Sequence, residues 1–179
     1  MLAGELYVAE DPELARDSLR AMTLTEQLNS TPAGDAQKRL SILKELLGAI
    51  GKGTEIRSPF HCDYGYQIHI GSGTFVNFGL VALDCAPITI GDDVQIGPNV
   101  QLLTPTHPVE PEPRRAKLEA ARPIVIGDNV WLGGGVIVLP GVSIGRNSVV
   151  GAGAVVTGDL PENVLALGNP ARIVRQLEE

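Results

Sequence analysis

The segment from Ile124 to Gly158 repeats its pattern of apolar and polar positions every six residues. The third position of each hexad is always aliphatic, and the first is small or apolar. The third positions are Ile126, Leu132, Val138, Ile144, Val150 and Val156. A period of six does not match a helical turn, but it suits a short Val- and Ile-rich strand followed by a tight turn. Because one coil of such strands has no core of its own, many coils must stack.

The same period begins earlier in the chain and is interrupted twice. Ile70, Val76 and Ala82 are six residues apart, and the phase then slips by two residues before it resumes at Ile90. Residues 104–122 carry four prolines and many charges and lack the pattern, although the hexads after them are spaced by a whole number of repeats. Long segments of this kind are commonly functional, so we predict a loop that projects from the solenoid.

Two helices are predicted before the repeat. An Asp-Pro signal starts a helix over residues 12–29, and leucines on one face indicate a second helix over residues 35–47. We interpret residues 1–53 as a helical cap that covers the open end of the solenoid and forms one wall of a substrate site. Residues 54–179 form the β-helix domain, whose tail is interpreted as a strand followed by a short helix.

Composition excludes several function classes. The chain has 179 residues, of which 44% are hydrophobic and only 4% aromatic, so we expect one main domain with an aliphatic core. The net charge of −7 argues against broad nucleic-acid binding. No signal peptide or membrane-spanning run is visible, and Cys62 and Cys85 lack metal-binding spacing. We therefore expect a cytoplasmic protein with two reduced thiols and no membrane partner.

The repeat resembles that of the hexapeptide-repeat acyltransferases, and further motifs resemble the maltose and galactoside O-acetyltransferases, which include the nodulation-type sugar acetyltransferases. These motifs are MLAGELY at 1–7, CDYGY at 62–66, IHIG at 68–71, VNFG at 76–79, THPV at 106–109, VWLG at 130–133 and GNPAR at 168–172. The resemblance covers nearly the whole chain. It implies a mainly β fold, a left-handed parallel β-helix with an α-helical cap; the period alone does not reveal the hand.

The resemblance implies acetyl transfer from acetyl-CoA to a sugar hydroxyl, directly and without an acyl-enzyme. A sugar hydroxyl needs a general base, and imidazole titrates in the right range. Of the three histidines, His107 lies in a loop stiffened by prolines, and the resemblance implies that it is the base. It also implies that Asn77 lies in the acceptor site and stabilises the transition state.

An acceptor pocket is implied as well. Its residues are Asp63, Tyr64, Asn77 and Asp84. A carboxylate such as that of Asp63 accepts hydrogen bonds from sugar hydroxyls, and Asp63 matches the maltose-type pattern. The galactoside pattern has an acidic residue, an Arg and an Asp where Ala9, Ser18 and Cys85 stand here, so the identity of the acceptor stays open.

Coenzyme A is the implied carrier of the acetyl group. Small residues along the solenoid would let its thin pantetheine arm approach the backbone, and arginines suit its phosphates. The implied positions are Trp131, Gly134, Ala152, Thr157, Gly158, Arg172 and Arg175. Turn geometry is the better explanation of each glycine taken alone, and many relatives have Lys where Gly158 stands.

The resemblance further implies a homotrimer with the active site between neighbouring subunits, and no metal ion. Two alternatives remain open. The first is an acetyltransferase with a non-sugar acceptor, such as an antibiotic or an amine. The second is a zinc lyase of the carbonic anhydrase type, which shares the left-handed β-helix but requires three His ligands.

Overall fold

The body of the protein is a parallel β-helix, as the hexad pattern predicts. The computed structural model describes Met1 and residues 4–178; Leu2 and Ala3 of the N-terminal motif, and Glu179, lie outside the described residues. Each coil consists of three short strands, one in each of three sheets, which we call faces I, II and III.

Face I contains β2 (Ala49–Ile50), β5 (Ile68–Ile70), β8 (Ile88–Ile90), β13 (Ile124–Ile126) and β16 (Ser143–Ile144). Face II contains β3 (Glu55–Ile56), β6 (Phe75–Val76), β9 (Gln95–Ile96), β14 (Trp131–Leu132), β17 (Val149–Val150), β19 (Val164–Leu167) and β20 (Arg172–Gln176). Face III contains β4 (Phe60–Cys62), β7 (Leu80–Leu83), β10 (Gln101–Leu103), β15 (Ile137–Val138) and β18 (Val155–Val156). The chain visits faces I, II and III in turn, which gives five complete coils and part of a sixth.

The predicted inward rows are confirmed. The third positions of the hexads from Ile126 to Val156 are at most 1% exposed, and the first positions from Ile124 to Ala154 are at most 2% exposed. The middle positions point outward, so Val125 is 41% exposed. Aliphatic side chains of successive coils therefore stack into one continuous core.

One corner of each coil requires a left-handed backbone. Asn129, Asn147 and Asn163 all have φ between 55° and 60°, a region that Asn tolerates better than most residues. The Asn129 amide donates to Asn147 Oδ1 at 3.0 Å, and the Asn147 amide donates to Asn163 Oδ1 at 2.8 Å. These asparagines are turn residues, and their side-chain hydrogen bonds also connect neighbouring coils.

The interruptions of the hexad pattern all fall at the corner between faces III and I, which we call the III–I corner. Phe60–Gln67 and Leu80–Pro87 occupy eight residues where a regular repeat has six, and the third coil adds the segment 104–123. In each of the two regular coils that follow, this part of the coil has six residues. Insertions at one corner of successive coils lie next to each other, so the irregular residues form one region.

The loop in the third coil has a structure of its own. It contains β11 (Pro105–Thr106), a short helix α3 (Pro111–Arg115) and β12 (Leu118–Ala121). Strand β12 pairs antiparallel with β11 on one side. On its other side it pairs with the N-terminal strand β1 (Tyr7–Val8), so the start of the chain lies against this loop.

The helical cap consists of α1 (Pro12–Ser30) and α2 (Ala36–Leu46), close to the predicted ranges. Leucines from both helices are buried in the core beneath the first coil. The Asn29 side chain exchanges two hydrogen bonds with the backbone of Phe60, at 2.9 and 3.0 Å, and Arg39 donates to the Ile56 carbonyl at 3.0 Å. The cap thus satisfies the exposed edge of the first coil. Strand β2 already pairs with β5, so the β-helix begins before residue 54.

The prediction of a short C-terminal helix is wrong. Arg172–Gln176 is strand β20, which folds back antiparallel on β19 across a turn at Gly168, whose φ is 95°. The pairing lets β20 extend an existing sheet along one side, whereas five residues are too few for a stable helix. No helix among the described residues is long and apolar enough to cross a bilayer.

A pair of neighbouring substitutions tests the inward rows. Ile126→Ala should lower the free energy of unfolding by about 2–5 kcal/mol, because it leaves a cavity between stacked coils. Val125→Ala, on the outer side of the same strand, should cost under about 1 kcal/mol. Equilibrium urea unfolding at one fixed protein concentration measures both. Equal losses would contradict the assignment of inward and outward positions.

Candidate active site

Four of the residues of interest lie together at the III–I corner, within the first two coils. Asp63 and Tyr64 follow β4, and Asp84 and Cys85 follow β7. Tyr64 and Cys85 form a small buried cluster with Ala86 and Ala121, and Leu14 of the cap packs against this cluster. Apolar side chains therefore support the polar groups from one side, and the cap forms part of the wall.

Asp84 lies beneath the surface of this region. It is 0% exposed, and its carboxylate accepts backbone N–H bonds from Asp63 at 3.1 Å, Tyr64 at 2.9 Å and Gln67 at 3.2 Å. Burial raises its pKa, and these hydrogen bonds oppose the rise. Asp84 was expected to bind an acceptor, but in this arrangement its carboxylate holds the 63–67 turn in place.

Asp63 presents the more accessible carboxylate. It is only half-buried, and the Cys85 thiol donates to its Oδ2 at 3.3 Å. Burial raises the pKa of Asp63, and the nearby Asp84 charge adds to the rise while the thiol opposes it. Burial also raises the pKa of the Cys85 thiol, which stays neutral and can donate. Asp63 therefore keeps acceptor positions for a ligand's hydroxyl groups.

His107 lies in the projecting loop, directly after β11, with its side chain 56% exposed. Its Nδ1 is 3.3 Å from the Leu118 carbonyl oxygen. A carbonyl only accepts, so this bond requires the proton to be on Nδ1 and leaves Nε2 as the atom that takes up a proton. Nε2 is 3.8 Å from Glu119 Oε2. The Glu119 carboxylate can therefore stabilise the imidazolium that forms when Nε2 takes up a proton.

Glu119 was not identified from the sequence. It is one of several charged residues in the loop, and no motif distinguishes it. The antiparallel register aligns Tyr7 with Glu119, and it aligns Thr106 with Ala120 on the other side of β12. The Glu119 carboxylate accepts a hydrogen bond from the Tyr7 hydroxyl. The signal that would have revealed Glu119 is this pairing, which a linear sequence does not display.

Asn77 lies elsewhere, at the corner between faces II and III, which we call the II–III corner. Its Oδ1 accepts a hydrogen bond from the backbone N–H of Phe78 at 2.9 Å. The amide nitrogen of Asn77 therefore points away from this contact and can donate to another group. Gly97 and Gly133 stack on Asn77 in the next two coils through ladder hydrogen bonds of 2.8–2.9 Å. A Cβ at Gly133 would lie 2.5 Å from Ala152 N, so coil stacking itself requires this glycine.

The residues expected to bind a cofactor divide between the two corners. Trp131, Gly134 and Ala152 lie beside or at the II–III corner, above Asn77. Thr157 and Gly158 follow β18 at the III–I corner, above His107 and Asp63. A face III strand such as β7 separates the corners by roughly 10 Å. One chain therefore does not bring Asn77 and His107 together.

The remaining expected residues are at the end of the solenoid. Arg172 and Arg175 lie on β20 and are exposed. Gly158 has no atom within 4 Å of the position of a Cβ and no positive φ, so a larger side chain would fit there. Within the described part of the chain, no three His, Cys, Asp or Glu side chains are grouped in a way that could hold a metal ion.

Two family patterns match the sequence. The maltose acetyltransferase hexapeptide capping motif matches residues 1–51, and the bacterial transferase hexapeptide, with six repeats, matches residues 123–158. The first covers the two cap helices and the second covers the regular coils. The irregular coils between them contain the polar residues at the III–I corner.

Known proteins resemble the chain over nearly its whole length. Nodulation protein L of Rhizobium meliloti (strain 1021) is 51% identical over 97% of this chain and 94% of that protein. The crystal structure of a maltose O-acetyltransferase from Clostridium difficile 630 has a TM-score of 0.98, with 44% identity over 99% of this chain and 95% of the other. A galactoside acetyltransferase in complex with coenzyme A has a TM-score of 0.96, with 41% identity over 98% and 88% of the two chains.

The different roles of the two aspartates can be tested by stability. Asp84→Ala should lower the free energy of unfolding by about 3 kcal/mol or more, because three backbone N–H groups lose a buried acceptor. Asp63→Ala should cost under about 1 kcal/mol, since Asp63 accepts only a thiol and its charge is already disfavoured by burial. Urea unfolding of both variants is the measurement. A larger loss for Asp63→Ala would show that the two roles are reversed.

Proposed function

Because the chain belongs to the maltose and galactoside O-acetyltransferase family of hexapeptide-repeat acyltransferases, we propose that it transfers an acetyl group from acetyl-CoA to a hydroxyl group of a sugar. The observation that carries this proposal is the arrangement of His107. Its Nδ1 donates to a carbonyl, its Nε2 faces a carboxylate, and it lies in a loop that pairs with the strand leading to the cap.

The donor site is proposed along the II–III corner. One similar structure is a galactoside acetyltransferase in complex with coenzyme A, and another similar protein was solved with acetyl coenzyme A. Gly97, Gly133, Gly134 and Ala152 keep this corner free of large side chains for the height of several coils. A thin pantetheine arm fits such a surface, and it would lead toward the Asn77 amide. The exposed arginines of β20 suit the phosphates.

The acceptor site is proposed at the III–I corner. Asp63 provides a half-buried carboxylate for sugar hydroxyls, and Tyr64 provides an aromatic wall. Burial raises the pKa of the Tyr64 hydroxyl, which therefore stays protonated and able to donate. Cys85 occupies the place where the galactoside pattern has a carboxylate, so an acceptor different from a simple galactoside is compatible with this site.

The proposed reaction is a direct transfer. His107 Nε2 takes the proton of the sugar hydroxyl while the hydroxyl oxygen attacks the thioester carbonyl carbon. The carbonyl oxygen becomes an oxyanion, and the Asn77 amide donates a hydrogen bond to it. The carbon–sulfur bond then breaks, and the departing thiolate takes the proton back from His107. Atoms and charges balance without an acyl-enzyme, and positioning both reactants together supplies much of the rate.

We propose that the site is completed between copies of the chain in a homotrimer. Asn77 and His107 lie at opposite edges of face III in one chain, too far apart to act on one carbonyl group. The outward row of face III carries no Lys, Arg, Asp or Glu; its members are His61, Val81, Gln101, Ile137 and Val155. Packing at this face would bring the II–III corner of one copy next to the III–I corner of its neighbour.

A cytoplasmic location is part of the proposal. It agrees with a reaction that uses acetyl-CoA and with two cysteines that are not joined in a disulfide.

Release of free coenzyme A tests the reaction class. We expect acetyl-CoA to yield thiol in the presence of an accepting sugar, and His107→Ala to lower kcat at least about 100-fold because the general base is lost. His69→Ala is the matched control, since His69 is exposed on face I, and it should leave the rate unchanged. Thiol release that no sugar stimulates, but that an amine or antibiotic does, would favour the non-sugar alternative. Stoichiometric zinc in the purified protein would instead favour the lyase.

Mixed oligomers test where the site is completed. Asn77→Ala and His107→Ala variants should each be nearly inactive alone. When they are unfolded together and refolded as a 1:1 mixture, random assembly places an intact Asn77 beside an intact His107 at about one quarter of the sites of a trimer. We therefore expect about one quarter of the wild-type rate to return. If mixing restores no activity, although wild-type protein survives the same treatment, both residues act within one chain.

A further inference from the structure

The N-terminal strand touches the loop that carries the proposed base. Strand β1 pairs antiparallel with β12, so Tyr7 aligns with Glu119 and Val8 aligns with Leu118. Beside this pairing, Lys117 forms an ion pair with Glu10. The same strand β12 contributes the Leu118 carbonyl that accepts from His107. A segment at the start of the chain therefore supports the backbone to which the imidazole is bound.

The side chains continue this contact. The Tyr7 hydroxyl donates to Glu119 Oε1, while the other oxygen, Oε2, is 3.8 Å from His107 Nε2. The Glu119 side chain is only 12% exposed. One carboxylate oxygen is thus held by Tyr7, and the other faces the imidazole. Among the described residues, the Tyr7 hydroxyl is the one hydrogen-bond donor to Oε1, so its removal would leave this oxygen without that partner.

Tyr7 also reaches the neighbouring residues of the site. Its hydroxyl lies near the Cys85 thiol, which donates to Asp63 at 3.3 Å. Burial, together with the hydrogen bond to Glu119, raises the pKa of the Tyr7 hydroxyl, which therefore stays protonated as a donor. The groups near the Tyr7 hydroxyl are thus the Glu119 carboxylate, which faces His107, and the Cys85 thiol of the acceptor-site region.

We propose that Tyr7 is a positioning residue for acetyl transfer: its hydroxyl holds Glu119 so that one carboxylate oxygen faces His107. The role in transfer rests on the function proposed above, whereas the effect on the imidazole does not. The carboxylate would be held beside the base only when the N-terminal strand is docked on the loop. This assigns the start of the capping segment a part in the chemistry as well as in covering the β-helix.

The activity test is a double-mutant cycle. Tyr7→Phe keeps the ring and removes only the hydroxyl, and we expect kcat to fall about tenfold with KM for acetyl-CoA unchanged, because orientation of the base is part of its contribution. Glu119→Met keeps a chain of similar length without charge or acceptor. In the Glu119→Met background, Tyr7→Phe should change kcat less than about twofold, because the group that Tyr7 holds is gone.

Tyr66→Phe is the matched control, because it removes the hydroxyl of an exposed tyrosine that has no hydrogen bond to Glu119 or His107 among the described residues. It should leave kcat as in the wild type. Thermal unfolding of each variant shows whether the fold is intact. A merely structural role of Tyr7 would lower the melting temperature and reduce kcat by the same factor in both backgrounds. That result, or an unchanged kcat in Tyr7→Phe, would overturn the proposal.

A second readout needs neither substrate. The chain has three histidines, so the imidazole NMR signal of His107 can be assigned by its loss in His107→Ala. At one fixed pH, Glu119→Met should change the chemical shifts of this signal, since the carboxylate 3.8 Å from Nε2 is replaced by an uncharged group. Tyr7→Phe should change them in the same direction by a smaller amount, and Tyr66→Phe should leave them unchanged.

The two readouts separate the two ideas. If the wild type transfers no acetyl group to any sugar but Tyr7→Phe changes the His107 signal, the proposed function fails and the positioning by Tyr7 stands. If Glu119→Met changes the signal and Tyr7→Phe does not, the positioning fails whatever the substrate is.

Discussion

The stacking of coils in register is the constraint on which the rest of the structure depends. Each short strand uses its backbone N–H and C=O groups to bond the coils above and below, and its inward side chains fill a continuous aliphatic core. Neither the backbone nor the inward positions are then available for chemistry. Polar function is confined to the corners and outer faces, and extra residues are tolerated only where they leave the ladder intact. The III–I corner of the first three coils meets this condition.

The capping segment covers the first coil, which has no coil beneath it to pair with. An unpaired sheet edge exposes backbone groups, and Asn29 and Arg39 satisfy several of them with side-chain hydrogen bonds. The helices that carry these residues necessarily lie beside the irregular coils, because those are the first three. One wall of the polar region is therefore a by-product of protecting the edge. Strand β1 extends this relation to the projecting loop.

The polar residues lie at two corners, and the outer surface of face III separates these corners. Asn77 and the small residues above it occupy one edge of this face, and Asp63, His107 and Gly158 occupy the other. A rigid β-helix cannot fold so as to bring its own corners together. If the residues at both edges take part in one reaction, as proposed, the reaction needs a second copy of the chain. On this proposal, the rigidity that makes the core stable also makes assembly part of the function.

The sequence by itself determined the repeating part of this protein. A period of six residues sets the inward rows, the turn asparagines and the points where the pattern breaks, because each of these depends on backbone conformation within one repeat. The family resemblance added His107 and Asn77 as candidates. Tertiary structure alone revealed that Asp84 is buried beneath the turn and that Arg172 lies on a strand, because both depend on which neighbour is present. The same holds for Tyr7 and Glu119, which are 112 residues apart in sequence. A local pattern encodes local backbone geometry, whereas the return of the chain start to a loop in the third coil is decided only by the packing of the whole fold.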